Sequence, residues 1–166
     1  MAKKVKPNNY LKLGMILLGI AIFTVLAANI YKNIQDNKIN NSYLGKYIAS
    51  ITYQEINNAK LEFSGDIFLI ISQTGEKSIY NLEVKLKKLI DTYDLNDQAI
   101  LIDMTGNNLG ALNETLELDA PGISRLPAIV YYKDNKLITV IDSNEQLLTS
   151  GDFLHLLEQY EIVKSY

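Results

Sequence analysis

The chain contains no cysteine. That absence removes disulfide bonds, thiolate nucleophiles and every cysteine-ligated metal or iron–sulfur cluster. Histidine is almost as scarce, with His155 the only one. A histidine-based zinc site therefore lacks ligands, and a Ser-His-Asp triad would have to use that one residue. No cofactor is expected. Basic charge is short over most of the chain: residues 45–166 hold ten lysines or arginines against eighteen acids, a net charge of −8. A surface this acidic repels phosphate backbones, so nucleic acid is not an expected partner.

What is present is ordinary globular material, with 48% of the 166 residues hydrophobic and 21% charged. That suffices for one domain plus an appendage. The appendage has the opposite charge. Residues 1–44 carry six lysines and one acid, Asp36, for a net charge of +5. Within them, residues 13–31 read LGMILLGIAIFTVLAANIY, nineteen positions without a charge. At about 1.5 Å per residue such a helix crosses a bilayer core of roughly 30 Å. Lys12 and Lys32 flank it, and Tyr10 and Tyr31 sit where interfacial aromatics belong. The stretch exceeds the ~7–15 apolar residues of a cleaved signal peptide, so a retained anchor is expected, although Ala27-Ala28-Asn29 resembles a small-residue cleavage site. Lys3, Lys4, Lys6 and Lys12 outweigh Lys32 and Lys38 on the far flank, where Asp36 offsets one charge. The positive-inside rule then places the N-terminus in the cytoplasm and the rest outside a cell membrane. The expected organisation is a basic tail (1–12), a transmembrane helix (13–31), a polar linker (32–46) and a globular domain (47–166). Thr24 and Ala28, four residues apart, would permit close packing against another membrane helix.

Patterning in the globular part alternates between strand and helix. Residues 47–51 suit a short strand, and Thr52 can cap a short helix. The run DIFLIIS (66–72) is continuously apolar after its first residue, as in a strand covered on both faces. Ile79, Leu82, Leu86, Leu89 and Tyr93 fall on one helical stripe. Residues 99–103 repeat the buried-strand pattern, and 107–118 read as a weaker helix. Two further strands flank an Asp134-Asn135 turn, which makes them antiparallel. A last helix is expected with Ser150 as cap and Phe153, Leu156, Leu157 and Tyr160 as its buried face. The order β-α-β-α-β-α-β-β-α implies a three-layer α/β sandwich, a mixed sheet of four to five strands with helices on both faces.

A proline, Pro127, stands immediately before the antiparallel hairpin. This order resembles the thioredoxin fold over residues 47–163, and the stretch LPAIVYYKDNK (126–136) is similar to the family's segment around its cis-proline. Ala128 replaces the family's usual threonine and Asn135 its usual glycine. The resemblance implies a cis Leu126–Pro127 bond, for which proline is the natural residue. It also places the redox family's two cysteines near Glu76 and Ile79, at the start of the helix after the central strand, and the family's buried acid near Ile70. Without thiolates, dithiol redox chemistry is excluded. More narrowly, an anchor followed by ITYQEI and this domain is similar to the membrane-anchored accessory proteins of Gram-positive bacteria, such as those of bacteriocin transport.

The candidate binding residues are Glu76, Lys77 and Ser78 at the helix start and Arg125, Leu126 and Pro127 at the proline loop, because peptides in this family lie against that loop. The alternatives are an ordinary charged helix start and a solvated arginine. His155 falls off the buried stripe and should face solvent. Asp103 ends a strand where ligands often bind, or simply caps a turn. The expected function is that of a non-catalytic, membrane-anchored module whose partner is an extracytoplasmic peptide or a protein subunit of an envelope complex. One alternative is an accessory subunit of a transporter or synthase acting mainly through its membrane helix. Another is an enzyme with a non-thiol site at Glu76, Lys77 and Ser78.

Overall fold

The computed structural model describes residues 9–62 and 65–164. It divides into two units, 1–37 and 38–166. The first is dominated by α1 (Asn9–Ile39), of which Lys12–Ile39 is long and apolar enough, by length and composition, to cross a membrane. Its side chains from Lys12 to Ile34 are exposed. The hydroxyl of Thr24 donates to the carbonyl of Ile20 at 2.9 Å, so this polar group is satisfied within the helix. The helix continues past Tyr31 into the polar stretch that follows.

The second unit is the expected three-layer α/β sandwich. Five strands, β1 (Ala49–Ile51), β2 (Asp66–Ser72), β3 (Ala99–Asp103), β4 (Ala128–Lys133) and β5 (Lys136–Asp142), form one sheet in the order β1-β3-β2-β4-β5. The β1–β3 and β2–β3 pairs are parallel, and the β2–β4 and β4–β5 pairs antiparallel. β2 lies at the centre, which is why its apolar run does not alternate with polar residues. Alternation sorts that run between two cores instead. Phe68 and Ile70 join Leu82, Leu86, Ile90, Phe153 and Leu157 of α3 (Lys77–Thr92) and α5 (Ser150–Gln159) on one face. Ile67, Leu69 and Ile71 join Ile56 and Leu112 of α2 (Ile56–Glu62) and α4 (Leu109–Thr115) on the other. Phe68 stacks on Tyr131 at 5.0 Å between centroids and meets the edge of Phe153 at 5.5 Å.

Three local features differ from the sequence reading. The first strand starts at Ala49 rather than at residue 47, and the end of the expected linker is folded: Leu44–Lys46 makes a single helical turn, with Leu44 fully buried. α4 is shorter than the pattern suggested, because Asn108 caps it by accepting the Gly110 N–H at 2.7 Å and Glu117 turns the chain with a φ of 57°. The cap of α5 is Thr149, not Ser150. Its hydroxyl accepts the Asp152 N–H, while the Asp152 carboxylate accepts the Thr149 N–H at 2.7 Å. This reciprocal capping box satisfies two groups at once, so the helix starts at Ser150, one residue earlier than Ser150 as cap would require.

Candidate functional site

Two loops leave adjacent strands at one end of the sheet. Ile71 of β2 pairs with Ala128 of β4, so the loop after Ser72 and the loop ending at Pro127 start as neighbours. The Leu126–Pro127 peptide is cis, as is Ala120–Pro121, which the sequence reading did not anticipate. The loop is pinned from β5's end: the Ser143 hydroxyl donates to the Pro127 carbonyl at 2.8 Å, and the Leu148 N–H donates to the same hydroxyl at 3.0 Å. Leu126 and Pro127 are buried, whereas Arg125 is exposed. Arg125 is thus the only one of the three to offer its side chain to a partner.

The α3 start offers more. Glu76, Lys77 and Ser78 are all exposed. Glu76 occupies the cap position without a capping hydrogen bond from its side chain, and Ser78 donates its hydroxyl to that carboxylate at 3.3 Å. The hydroxyl faces an acid within its own turn. His155 is exposed on α5 and lines a separate cleft with Thr139 and Gln159. Asp103 is engaged locally, its carboxylate accepting the N–H of Thr105 at 2.9 Å and the hydroxyl at 2.5 Å. The Thr105 hydroxyl in turn accepts the Thr74 N–H at 2.8 Å, tying the loops after β2 and β3 together.

A group that sequence reasoning missed organises this end. Glu83 of α3 is 2% exposed. Its carboxylate accepts the hydroxyls of Ser72 (2.6 Å) and Ser42 (2.8 Å) and the N–H groups of Tyr43 (2.5 Å) and Leu44 (3.1 Å). Burying a carboxylate is tolerable only with this many donors. Glu83 belongs to a second α3 stripe, Tyr80–Glu83–Lys87, which faces the segment before β1. Tyr43 meets the edge of the Tyr80 ring at 5.6 Å, and the Lys87 ammonium lies 4.9 Å from the centre of the Tyr47 ring and pairs with Asp91. Just before it, the Gly75 N–H donates to the Ile39 carbonyl at 3.0 Å. Residues 39–47, expected to be mostly linker, therefore run along the first turns of α3, beside Glu76–Ser78. Its stripe neighbours, Tyr80 and Lys87, carry polar groups, so nothing local in the sequence marked Glu83 as buried.

The whole shape can be matched to known structures. Chlamydomonas reinhardtii thioredoxin f2 superposes with a TM-score of 0.55 at 9% identity, covering 70% of this chain and 99% of that one. Fasciola hepatica thioredoxin superposes at 0.51 and 14% identity, covering 68% and 98%. This chain has the thioredoxin fold. At these identities the likeness concerns the fold alone. No family model and no curated protein sequence matches the chain, so the narrower similarity to Gram-positive accessory proteins gains no support. The thioredoxin-like domain has no cysteine anywhere, and thiol–disulfide exchange has no attacking group.

Proposed function

We propose that this protein is a membrane-anchored, redox-inactive thioredoxin-like interaction module that holds its domain on the extracytoplasmic side and binds a peptide or a subunit of an envelope or transport complex. One observation carries the reading. The sheet end framed by cis Pro127 is kept, while the adjoining helix start carries Glu76, Lys77, Ser78 and Ile79 and no sulfur. A scaffold that retains the peptide-facing loop without the thiols suits binding rather than exchange. Arg125 supplies a planar donor for a partner's carboxylate, and Glu76 and Lys77 supply one charge of each sign. The anchor is the uncharged helix, oriented by the lysine excess at its N-terminal flank. Photocrosslinkers placed at positions 76, 77, 78 and 125 in cells should trap a discrete partner; adducts no more specific than those from Lys88, on the body of α3, would defeat the proposal.

A second reading places the activity in the membrane helix, as in an accessory subunit of a transporter or synthase. Its motivation is in the sequence: Thr24 and Ala28, small residues four apart in the uncharged stretch 13–31, would let that helix pack closely against another. Replacing residues 13–31 by an unrelated apolar helix separates the readings: function is retained if the domain acts and lost if the helix does.

A further inference from the structure

We propose that the outer edge of β5, over Thr139–Asp142, is a docking strand for an extended peptide that carries lysine or arginine. This deepens the reading of the domain as a peptide-binding module, and rests on it only to that extent, but it uses a different surface from the Pro127 loop.

β5 is the last strand of the sheet, and among the described residues no further strand pairs with it. An open edge presents a row of backbone donors and acceptors, which many proteins blunt and others use to add a peptide strand. Here the first half is blunted. The register shifts between Tyr131 and Tyr132, leaving Ile138 as an extra residue opposite β4, and such a bulge bends the strand. Pairing is regular again from Thr139 to Asp142, opposite Tyr131 to Ala128.

That regular stretch has a cleft on each face. Val140 and Asp142 border one of about 280 Å³ with Leu118, Asp119 and Pro121. Thr139 and Ile141 border one of about 150 Å³ with Asp152, His155 and Gln159. A third, of about 370 Å³, lies at the strand's end with Asn144, Glu145 and Leu148. An added strand sends successive side chains to opposite faces, so one peptide would fill clefts on both.

The charge of the lining chooses the peptide. Asp119, Asp142, Glu145 and Asp152 line these clefts and no lysine or arginine does; Arg125 adjoins Asp142 through its backbone N–H, and Lys136 lies at the far end of the strand. Asp142 and Asp152 already accept local hydrogen bonds, from Ser124 and Thr149. Asp119 and Glu145 are exposed on the two flanks. Complementarity therefore favours a cationic partner. A second copy of this chain would bring the same carboxylates to its own β5, so like charges oppose self-pairing across this edge.

The test uses the full chain in detergent micelles and two blocked heptapeptides, one alternating lysine with threonine and the other glutamate with threonine. Amide hydrogen exchange is followed residue by residue. The lysine peptide should slow exchange within Thr139–Asp142 by roughly tenfold, and the glutamate peptide should not. The Asp119→Lys, Glu145→Lys double variant should lose the effect while keeping its melting temperature. Equal protection by both peptides, or none in β5, overturns the proposal. Protection confined to Gly75–Ile79 and Arg125–Ala128 also overturns it, and leaves the Pro127 loop as the binding site. Protection of β5 without peptide that rises with protein concentration would mean self-pairing, again overturning it. Loss of crosslinks at 76–78 and 125 with β5 protection intact would instead discard only the loop.

Discussion

The Glu83 carboxylate on α3 accepts the hydroxyl of Ser72, the last residue of the central strand, at 2.6 Å inside the core. The same carboxylate gathers Ser42, Tyr43 and Leu44 from the segment that follows the membrane-length helix. Removing it strands four donors. Glu83→Ala should therefore destabilise the domain by about 3 kcal/mol, with Glu83→Gln less severe because it keeps one acceptor. Limited proteolysis of the Ala variant should open the chain within residues 40–47 before the rest of the domain unfolds. A melting temperature and cleavage pattern like those of the parent protein would show that the network holds nothing.

Tyr131 and Tyr132 are neighbours in β4 with opposite fates. Tyr131 donates its hydroxyl to Asp66 at 2.6 Å, whereas the buried Tyr132 hydroxyl has no hydrogen-bond partner among the described residues. Tyr131→Phe should cost about 1–2 kcal/mol, while Tyr132→Phe should be neutral or stabilising, since it deletes an unpaired polar atom. Burial raises both phenols: Tyr131 also by its bond to Asp66, Tyr132 to about 12, with the charge of Glu117 adding. Unfolded tyrosines ionise near pH 10. The native state therefore keeps protons that the unfolded state releases, so this stability is whole below about pH 10 and falls as the pH rises toward 12. Ultraviolet titration should show the two phenols ionising only with unfolding, and each Phe variant should flatten the alkaline decline. Ionisation of both near pH 10 in the folded protein would refute the assignment.

The architecture was legible because burial writes itself into period. The unbroken apolar runs of β2 and β3, the 79–82–86 stripe of α3 and Asp134-Asn135 sufficed for the element order, and Pro127 for the fold. Glu83 was illegible for the opposite reason. Its burial depends on donors about forty positions away, Ser42 to Leu44, and no local pattern announces a partner that distant. The candidate site was legible as positions but not as surface. Leu126 and Pro127 stood out in the sequence, and only the fold shows that their side chains point into it while Arg125 does not.

The α5 cap illustrates how a choice between adjacent residues depends on geometry. Thr149 and Ser150 are both good capping types, but Thr149 exchanges bonds with Asp152. Thr149→Ala should cost about 1 kcal/mol and Ser150→Ala less than about 0.5. Equal losses in thermal unfolding would restore Ser150 as the cap.

The β4–β5 turn controls the strand that carries the proposed docking edge. Asp134 and Asn135 take φ values of 49° and 64°, the pair of left-handed conformations that a two-residue turn needs to match strand twist. Asparagine tolerates this region, glycine adopts it freely and alanine pays for its Cβ. Asn135→Gly should therefore leave stability unchanged or raise it by a few tenths of a kcal/mol, and Asn135→Ala should lower it by about 1 kcal/mol. The alanine loss should concentrate in the hairpin, with faster amide exchange from Lys133 to Thr139 and little change in β2 and β3, whose pairing does not pass through the turn. Uniform acceleration across the sheet would mean that the hairpin unfolds only with the whole domain, and that β5 has no separate freedom at its edge.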